Sequence, residues 1–292
     1  MATIQWYPGH MTKTNRQLAE SMKMVDIVIE VLDARIPISS SNPDIEKLLT
    51  RHQRLIILNK EDLADPKVSQ LWKKHYAVKD AETVFTNSKT GTGMSAIKDT
   101  LKKIGQTKVE RHAAKGVVNR AVRAMIVGVP NSGKSSLINR LAGKATAKTG
   151  DRPGVTRAKQ WVRLDGGIDL LDTPGILWPK FENETVALNL AFTGAIKDEI
   201  TDTTEIAEKL LRVLLATYPQ LVEKRYGIQQ TALPDVLDFS LLKAVGKKRG
   251  FLISGGEIDY SRAAAVILDE FRAAKIGRIS LEKPQNELVS KL

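Results

Sequence analysis

Cysteine is absent from the 292-residue chain. Its absence excludes disulfide bonds and metal sites built from thiolates, and it suits an intracellular setting. Long apolar runs are missing too, since no uninterrupted stretch approaches the roughly 20 residues that span a bilayer. The first residues, MATIQWYPGHMTK, lack the apolar core of a secretory signal. We therefore expect a soluble, cytoplasmic protein without a membrane span, and we expect a monomer.

Acidic residues are fewer than basic ones, with 33 Asp and Glu against 45 Lys and Arg, so the formal net charge is +12. Such a surface attracts polyanions, which favours nucleic acid or an anionic membrane as a partner. Charge alone does not separate these partners from a surface of solvated lysines. The length and the hydrophobic content of 42% allow two domains, or one domain with an appendage.

Apolar strand patterns alternate with helical patterns in the first part of the chain. DIVIEVLDAR, residues 26–35, is rich in β-branched residues and suits a strand buried on both faces. RLIILNK and TVFTNSKTGTG predict two more strands, each ending in a polar loop. Apolar residues recur at helical spacing from Met94 to Ile104, and the basic segment Gly105 to Arg120 predicts a linker. The alternation predicts an α/β sheet.

The same alternation restarts after Arg120. AVRAMIVGVP predicts a buried strand that runs into a glycine-rich loop, and a helix follows from Ser135 to Leu141. WVRLDGGIDLLDTPG predicts two strands joined by a tight Gly166-Gly167 turn.

The spacing becomes helical from about Phe181 onward. One amphipathic helix is predicted over residues 206–221 and another from Ala263 to Ala274. We predict an α/β domain over residues 1–178, followed by a small all-α domain over residues 179–292.

A phosphate-binding loop is predicted where the strand of AVRAMIVGVP meets its helix. The residues GVPNSGKS fit the pattern G-x-x-x-x-G-K-[ST] in the required strand and helix context. Backbone N–H groups can surround the β-phosphate, Lys134 can reach the β- and γ-phosphates, and Ser135 can hold Mg²⁺. The alternative is a glycine-rich turn with a chance Lys-Ser pair. The predicted nucleotide-binding residues here are Gly128, Asn131, Ser132, Gly133, Lys134, Ser135 and Ser136.

Two further segments predict contacts to Mg²⁺ and the γ-phosphate. Asp172 ends an apolar strand and can hold the metal through water, while the Gly175 N–H can approach the γ-phosphate. Alone, DTPG would more often be an ordinary turn. Thr156, in RPGVTR, can bring a hydroxyl to the same Mg²⁺. The predicted metal ligands are thus Ser135, Thr156 and Asp172, and Thr156, Gly175 and Lys134 are predicted to act in catalysis.

The sequence NKED, which follows a strand, predicts a loop that reads guanine. Guanine presents two adjacent donors, N1–H and N2–H₂, and the carboxylate of Asp62 can accept both, whereas adenine offers no such pair. Lys60 would lay its aliphatic chain over the base, and Asn59 would tie this loop to the phosphate-binding loop. In a second loop, Asn87-Ser88-Lys89, a backbone N–H could meet guanine O6. Either loop alone would more often be a charged turn, but four such elements at strand ends predict GTP and GDP as ligands.

The order of these loops is reversed from the usual one, in which the phosphate-binding loop comes first and the base-reading loops last. A parallel sheet gathers the loops after its strands at one edge whichever strand begins the chain. We therefore predict a P-loop GTPase domain with circularly permuted strand order, in which residues 105–120 join the former ends.

The motifs together resemble the ribosome-biogenesis GTPase A family, the YlqF-type bacterial permuted GTPases, over essentially the whole chain. The motifs that carry the resemblance are WYPGHM, DARIP, NKED, GVPNSGKSS, PGVT, DTPGILWPKFE and GKKRGFLISGGEIDYSRAA. The resemblance implies a GTP-hydrolysing factor in late assembly of the large (50S) ribosomal subunit. It also implies a helical domain that helps to hold ribosomal RNA, with ribosomal proteins as further partners.

The residues near the γ-phosphate predict slow intrinsic hydrolysis. Where many GTPases carry a glutamine that orients water, this chain has Ile176, which cannot do so by hydrogen bonding. Asn131 could help to hold K⁺ against the phosphates, or it could serve only the turn geometry. The family resemblance makes His10 a candidate for positioning the water, although a lone terminal histidine is more often without such a role. We expect the ribosome to stimulate turnover.

A basic run between two glycines, Lys247, Lys248 and Arg249, predicts contact with an RNA backbone from a glycine-flanked turn. The alternative is a solvated helix face. We also hypothesise that GTP orders Thr156 and the Gly175 segment and thereby sets the angle of the helical domain. Two alternative functions stay open for the protein. It could be a GTP-regulated module that binds other structured RNA, or a scaffold that binds GTP and hardly hydrolyses it.

Overall fold

The computed structural model describes residues 18–49, 52–77, 82–113, 121–143, 160–165, 167–178, 181, 183–229 and 238–284. Within these ranges six strands form one sheet. The strands are β1 Ile27–Asp33, β2 Gln53–Asn59, β3 Glu82–Phe85, β4 Val122–Val127, β5 Gln160–Leu164 and β6 Ile168–Asp172. Their order across the sheet is β3-β2-β1-β4-β6-β5, and β5 alone runs antiparallel to its neighbour.

The strand order brings the two halves of the α/β part together. β1 pairs in parallel with β2 on one side and with β4 on the other, so Ile27 lies between Gln53 and Ala124. β3 and β6 extend the parallel set outward. Because the carboxyl ends of parallel strands meet at one edge, the loops after β2, β3, β4 and β6 lie together there.

Four helices accompany the strands, and five follow them in the part of the chain that the structure describes. The first four are α1 Pro43–Leu48, α2 Pro66–Ala77, α3 Met94–Ala113 and α4 Lys134–Ala142. The later five are α5 Glu184–Phe192, α6 Thr203–Thr217, α7 Pro219–Tyr226, α8 Ser240–Arg249 and α9 Tyr260–Arg272. Residues 18–22 are helical as well. Among the described residues, no helix combines the length and apolarity that crossing a membrane requires.

Two boundaries differ from the sequence-based predictions. The segment from Gly105 to Ala113, predicted as linker, continues α3, and Gly105 packs closely on Val122 of β4, since an added Cβ would lie 3.3 Å from its side chain. The single helix predicted over residues 206–221 is two helices. It breaks at Tyr218, because Pro219 disfavours the helical conformation in the residue before it.

One hydrophobic cluster joins the helical part to the sheet part. It contains the buried faces of α5, α6, α8 and α9 together with Ile36, Val129, Leu177 and Trp178 from loops at the sheet edge. Separate clusters cover the two faces of the sheet. The domain boundary at residue 178 stays a prediction, and apolar packing is continuous across it.

Candidate functional site

Asn59, the last residue of β2, connects three loops at the sheet edge. Its amide nitrogen donates to the backbone oxygen of Ser132 at 2.8 Å and to the Ser88 hydroxyl at 3.2 Å. Its amide oxygen accepts from the Thr86 hydroxyl and from the Ser88 N–H. The side chain is fully buried. The predicted link between the NKED loop and the phosphate-binding loop is therefore present.

The NKED loop turns sharply after Asn59. Lys60 has a left-handed backbone conformation, with φ of 60°, and Glu61–Leu63 form a 3-10 turn that carries Asp62 at the partly exposed surface. The Glu61 N–H donates to the Thr86 oxygen, which fixes the turn against the loop after β3. The ammonium group of Lys60 lies 3.2 Å from a carboxylate oxygen of Asp33. This ion pair anchors the end of the Lys60 side chain at the end of β1.

The second loop predicted to read the base is fixed by its own Asn87 side chain and by Arg140. The Asn87 side chain accepts from the N–H groups of Lys89 and Thr90, and Arg140 of α4 donates to the backbone oxygens of Ser88 and Lys89. The Ser88 N–H already donates to Asn59. The N–H groups of Ser88, Lys89 and Thr90 thus already have acceptors within the protein, which the sequence did not indicate, and contact of this loop with guanine O6 stays a prediction.

Close packing makes glycine necessary at position 133 of the phosphate-binding loop. Gly133 has φ of +94°, and a Cβ atom there would collide with the amide nitrogen of Asn59. Lys134, the first residue of α4, is buried and donates to the backbone oxygens of Gly128 and Val129, at 3.0 and 2.9 Å. Burial and the nearby charge of Lys60 lower the pKa of Lys134 to about 8, against the effect of Asp172. A buried cation thus lies inside the loop.

Asp172, at the end of β6, offers a carboxylate oxygen suited to a metal. Its Oδ1 atom is buried and has no hydrogen-bond partner among the described residues. Burial raises the pKa of Asp172 to about 6, while the positive charge of Lys134 opposes the rise. An uncompensated buried oxygen close to the phosphate-binding loop fits a hard cation such as Mg²⁺. Ser135 lies one residue after Lys134, and Thr156 lies outside the described residues.

The segment after Asp172 crosses directly over the phosphate-binding loop. A Cβ atom on Gly175 would lie 2.7 Å from the Cα of Pro130, so only glycine fits there, and the Ile176 N–H donates to the Gly128 oxygen. The Ile176 side chain is buried in a cluster with Met125 and Val127. It is therefore turned into the core, and it cannot orient a water molecule at the γ-phosphate.

Asn131 adopts a left-handed conformation, with φ of 56°, which asparagine tolerates better than most residues. Its amide nitrogen donates to the backbone oxygen of Thr193, at the end of α5, at 3.3 Å. The conformation supports a role in turn geometry, and the role in holding K⁺ stays a prediction. His10, the other candidate near the γ-phosphate, lies outside the described residues.

A buried charge cluster at the end of β1 was not assigned a role from the sequence. Arg35 forms a bidentate pair with Asp33, at 2.9 and 2.7 Å, and its guanidinium group lies 5.3 Å from the ring centre of Phe271 in α9. Burial would raise the pKa of Asp33, but Arg35 and Lys60 outweigh burial and hold it well below its usual range. The signal in the sequence was the pair of charged residues in DARIP, Asp33 and Arg35, at the end of a buried strand.

The predicted RNA-contacting residues lie in the last turn of α8, not on a glycine-flanked turn. Gly246 is a buried helical residue, and Gly250 follows the end of the helix in a left-handed conformation. Lys247 and Lys248 are exposed, whereas Arg249 pairs with Glu270 at 3.1 Å. The structure therefore corrects the predicted local geometry, and RNA contact by these residues stays a prediction.

The sheet order and the site together define a class. A P-loop follows β4, an aspartate ends β6, and the two loops predicted to read the base precede both in the chain. The chain therefore has a circularly permuted P-loop GTPase domain with a helical carboxyl-terminal region. A family profile described as "50S ribosome-binding GTPase" matches residues 123–227.

Comparison with known proteins gives the family. The chain is 49% identical to Ribosome biogenesis GTPase A of Bacillus licheniformis, over 97% of this chain and 99% of the relative, and 33% identical to that of Thermotoga maritima, over 97% and 95%. The solved GDP-bound structure of TM YlqF is similar to this chain with a TM-score of 0.68 and 30% identity, covering 93% of this chain and 100% of that chain. The chain belongs to the ribosome biogenesis GTPase A family, and it is a GTPase.

Proposed function

We propose that the protein binds and hydrolyses GTP as an assembly factor for the large (50S) ribosomal subunit, with its nucleotide state coupled to binding of ribosomal RNA. The observation that carries the nucleotide part is the buried Asn59 side chain, which ties both base-reading loops to the phosphate-binding loop. The ribosomal part is supported by relatives named Ribosome biogenesis GTPase A and by the net charge of +12.

In the proposed site each loop has one task. Asp62 accepts the two guanine donors, and Lys60, with its ammonium group on Asp33, covers the base with its aliphatic chain. Lys134 places its charge at the β- and γ-phosphates. Ser135 and Asp172, with Thr156, would hold Mg²⁺, which when bound supplies positive charge to the phosphates. Asn131 would help to hold K⁺.

Intrinsic hydrolysis is proposed to be slow. The Gly175 N–H contributes a donor at the γ-phosphate. Because Ile176 is apolar and buried, residue 176 offers no side chain that could hydrogen-bond to the attacking water. We propose that the complex with the ribosomal subunit supplies the missing contact, either through His10 or through a ribosomal group.

RNA binding is proposed for Lys247, Lys248 and Arg249. The two lysines are exposed at the end of α8, and Arg249, although paired with Glu270, is exposed as well. Basic groups on one helix end contribute salt-dependent and largely sequence-independent attraction to a phosphate backbone.

Sedimentation with separated ribosomal subunits tests this proposal. The protein would be mixed with each subunit in GDP and in a non-hydrolysable GTP analogue, at moderate and high salt. We expect binding to the large subunit only with the analogue, weakened by replacing Lys247 and Lys248 with alanine. Replacing Lys67 and Lys74, two exposed lysines of α2, removes the same charge and should have a smaller effect.

Other results would overturn the proposal. Equal binding in GDP and in the analogue would contradict coupling to the nucleotide. Analogue-dependent binding to structured RNA in general, without preference for the large subunit, would favour a GTP-regulated RNA-binding module instead.

A further inference from the structure

The carboxyl-terminal strap, residues 276–284, returns from the helical part to the NKED loop. The Arg278 guanidinium donates from Nε to the Ala64 oxygen at 2.8 Å and from Nη2 to the Glu61 oxygen at 2.7 Å. These two oxygens flank the 3-10 turn that carries Asp62. One side chain of the strap therefore bridges both ends of the predicted guanine-reading turn.

The strap backbone adds to these contacts. The Ile279 N–H donates to the Leu63 oxygen at 3.0 Å, and the Asp65 N–H donates to the Ser280 hydroxyl at 3.1 Å. On its other side the turn is held by the bond from the Glu61 N–H to the Thr86 oxygen. A turn this short leaves most of its carbonyl groups without internal partners. The strap supplies donors to three carbonyl oxygens in and next to the turn, at Leu63, at Ala64 and at Glu61, which also accepts from the Ala64 N–H.

The strap is anchored at the same time to the helical part. The Tyr218 hydroxyl, between α6 and α7, contacts Asp65, the Ser280 oxygen and the Ser280 N–H. Farther along, the Glu282 carboxylate accepts from Asn189 of α5 and from the Ser39 N–H. The position of the Asp62 turn therefore depends on residues that lie more than 200 positions later in the chain, as the separation of 217 between Glu61 and Arg278 shows.

We propose that Arg278 is a positioning residue for guanine recognition: it holds the turn so that the Asp62 carboxylate meets both guanine donors. This rests on the proposed role of Asp62 as the guanine reader. Arg278 is exposed, and its side chain donates to the Glu61 and Ala64 oxygens of the NKED loop, so its effect passes through the turn. Because binding linkage is reciprocal, a bound guanine base also stabilises the strap on the NKED loop.

Selectivity between GDP and IDP tests the proposal, because hypoxanthine lacks the 2-amino group and offers Asp62 only one donor. We expect Arg278→Ala to lower the ratio of GDP affinity to IDP affinity by about three- to tenfold, because a displaced Asp62 carboxylate keeps only part of its hydrogen bond to the 2-amino group. Arg278→Lys, which keeps a donor, should recover part of the ratio. Lys275→Ala removes the same charge from an exposed position three residues earlier and should leave the ratio unchanged.

A purely structural role for Arg278 predicts a different result. The affinities for GDP and IDP would then fall together while their ratio stayed constant, and this outcome overturns the proposal. A thermal melt of each variant shows whether the protein is folded under the binding conditions.

Asp62→Asn separates failure of this inference from failure of the proposed site. Xanthine carries an oxygen at C2, so an asparagine amide can donate to it, and the variant should prefer XDP to GDP. If Asp62→Asn leaves base preference unchanged, Asp62 is not the guanine reader and the proposed site fails. If it switches preference while Arg278→Ala leaves the GDP to IDP ratio unchanged, only the role of Arg278 fails.

Hydrogen–deuterium exchange provides a second measurement, which does not depend on any variant at position 278. The Ile279 and Leu281 N–H groups donate to the Leu63 and Arg35 oxygens, so their exchange reports whether the strap is docked. We expect GDP to slow exchange in residues 276–284 of the wild-type protein and to slow it less in Asp62→Asn. Unchanged exchange of the strap on GDP binding would contradict the linkage.

Discussion

At the scale of single residues, the Asn59 side chain determines how three loops meet. It uses both donor hydrogens and its acceptor oxygen, and its partners come from the loops after β3 and β4. A buried amide with all its groups satisfied specifies one arrangement, because any shift leaves polar atoms without partners. Gly133 adds to this restriction, since it leaves just enough room for the Asn59 amide.

Replacing Asn59 tests this account. We expect Asn59→Ala to lower the free energy of unfolding by about 3 kcal/mol, because it leaves the Ser132 oxygen and the Ser88 N–H buried without partners. Affinity for GDP should fall as well, since the loops lose their shared anchor. Urea denaturation without nucleotide and a fluorescence titration measure the two effects.

Asn59→Asp is the matched comparison for this prediction. It keeps the acceptor for Thr86 and Ser88 but loses the donor to the Ser132 oxygen, so it should bind GDP weakly while keeping part of the stability. Wild-type stability and GDP affinity in Asn59→Ala would show that the hydrogen bonds do not hold the site.

At the scale of elements, the strands were easier to predict than the connections. The nearly continuous apolar runs of β1, β2 and β4 predicted strands directly, because both faces of a central parallel strand are buried. The extension of α3 beyond Gly105 depends on tertiary packing, and the break at Tyr218 depends on Pro219. The spacing of hydrophobic residues contains neither kind of information. The strap has no strand or helix of its own, so periodicity could not indicate it.

The nucleotide loops were predictable as motifs, and their surroundings were not. Asn59 and Asp172 end strands, and Asp62 and Lys134 lie in or next to the loops that follow strands. The order of these strands brings the loops together at one edge of the sheet. In contrast, the contact of Arg278 with Glu61 joins residues far apart in the chain. Nothing in the local sequence of either residue indicates the other.

Glu282, within the strap, is expected to make stability depend on pH. Burial raises its pKa despite hydrogen bonds from Ser39, Ile38 and Asn189. The folded state therefore binds a proton that the unfolded state has released, so stability falls as pH rises from the ordinary glutamate pKa through the raised one. We expect Glu282→Gln to flatten this part of the stability curve, measured by urea unfolding across acidic pH.

Tyr76 is a titratable group that interacts with Glu282, and its own pKa is raised by burial, by Glu30 and by Glu282. It stays protonated throughout the acidic range, so it does not contribute to this slope. An equal slope in the wild-type protein and in Glu282→Gln would show that Glu282 is not the group responsible.

At the scale of the whole molecule, the helical part and the nucleotide site share structure in three places. The Asn131 amide contacts the end of α5, Leu177 and Trp178 enter the shared hydrophobic cluster, and the strap reaches the NKED loop. Both the phosphate side and the base side of the site are therefore connected to the helices. A packed cluster moves between discrete arrangements more readily than it deforms, so a shift at Gly175 has a physical route to the helical part.

Spectroscopic distances test whether nucleotide state sets the orientation of the helices. Because the chain has no cysteine, spin labels attach only at introduced positions, such as Ala96→Cys in α3 and Ser261→Cys in α9, both exposed. We expect this distance to differ between GDP and a non-hydrolysable GTP analogue. In the proposed site the Gly175 N–H donates to the γ-phosphate. The Gly175 segment packs against Pro130 and continues into the shared cluster, so loss of the γ-phosphate is expected to shift both. A pair within the sheet part, Ala96→Cys with Leu71→Cys, should report the same distance in both states, and equal distances for the first pair would refute nucleotide-dependent orientation.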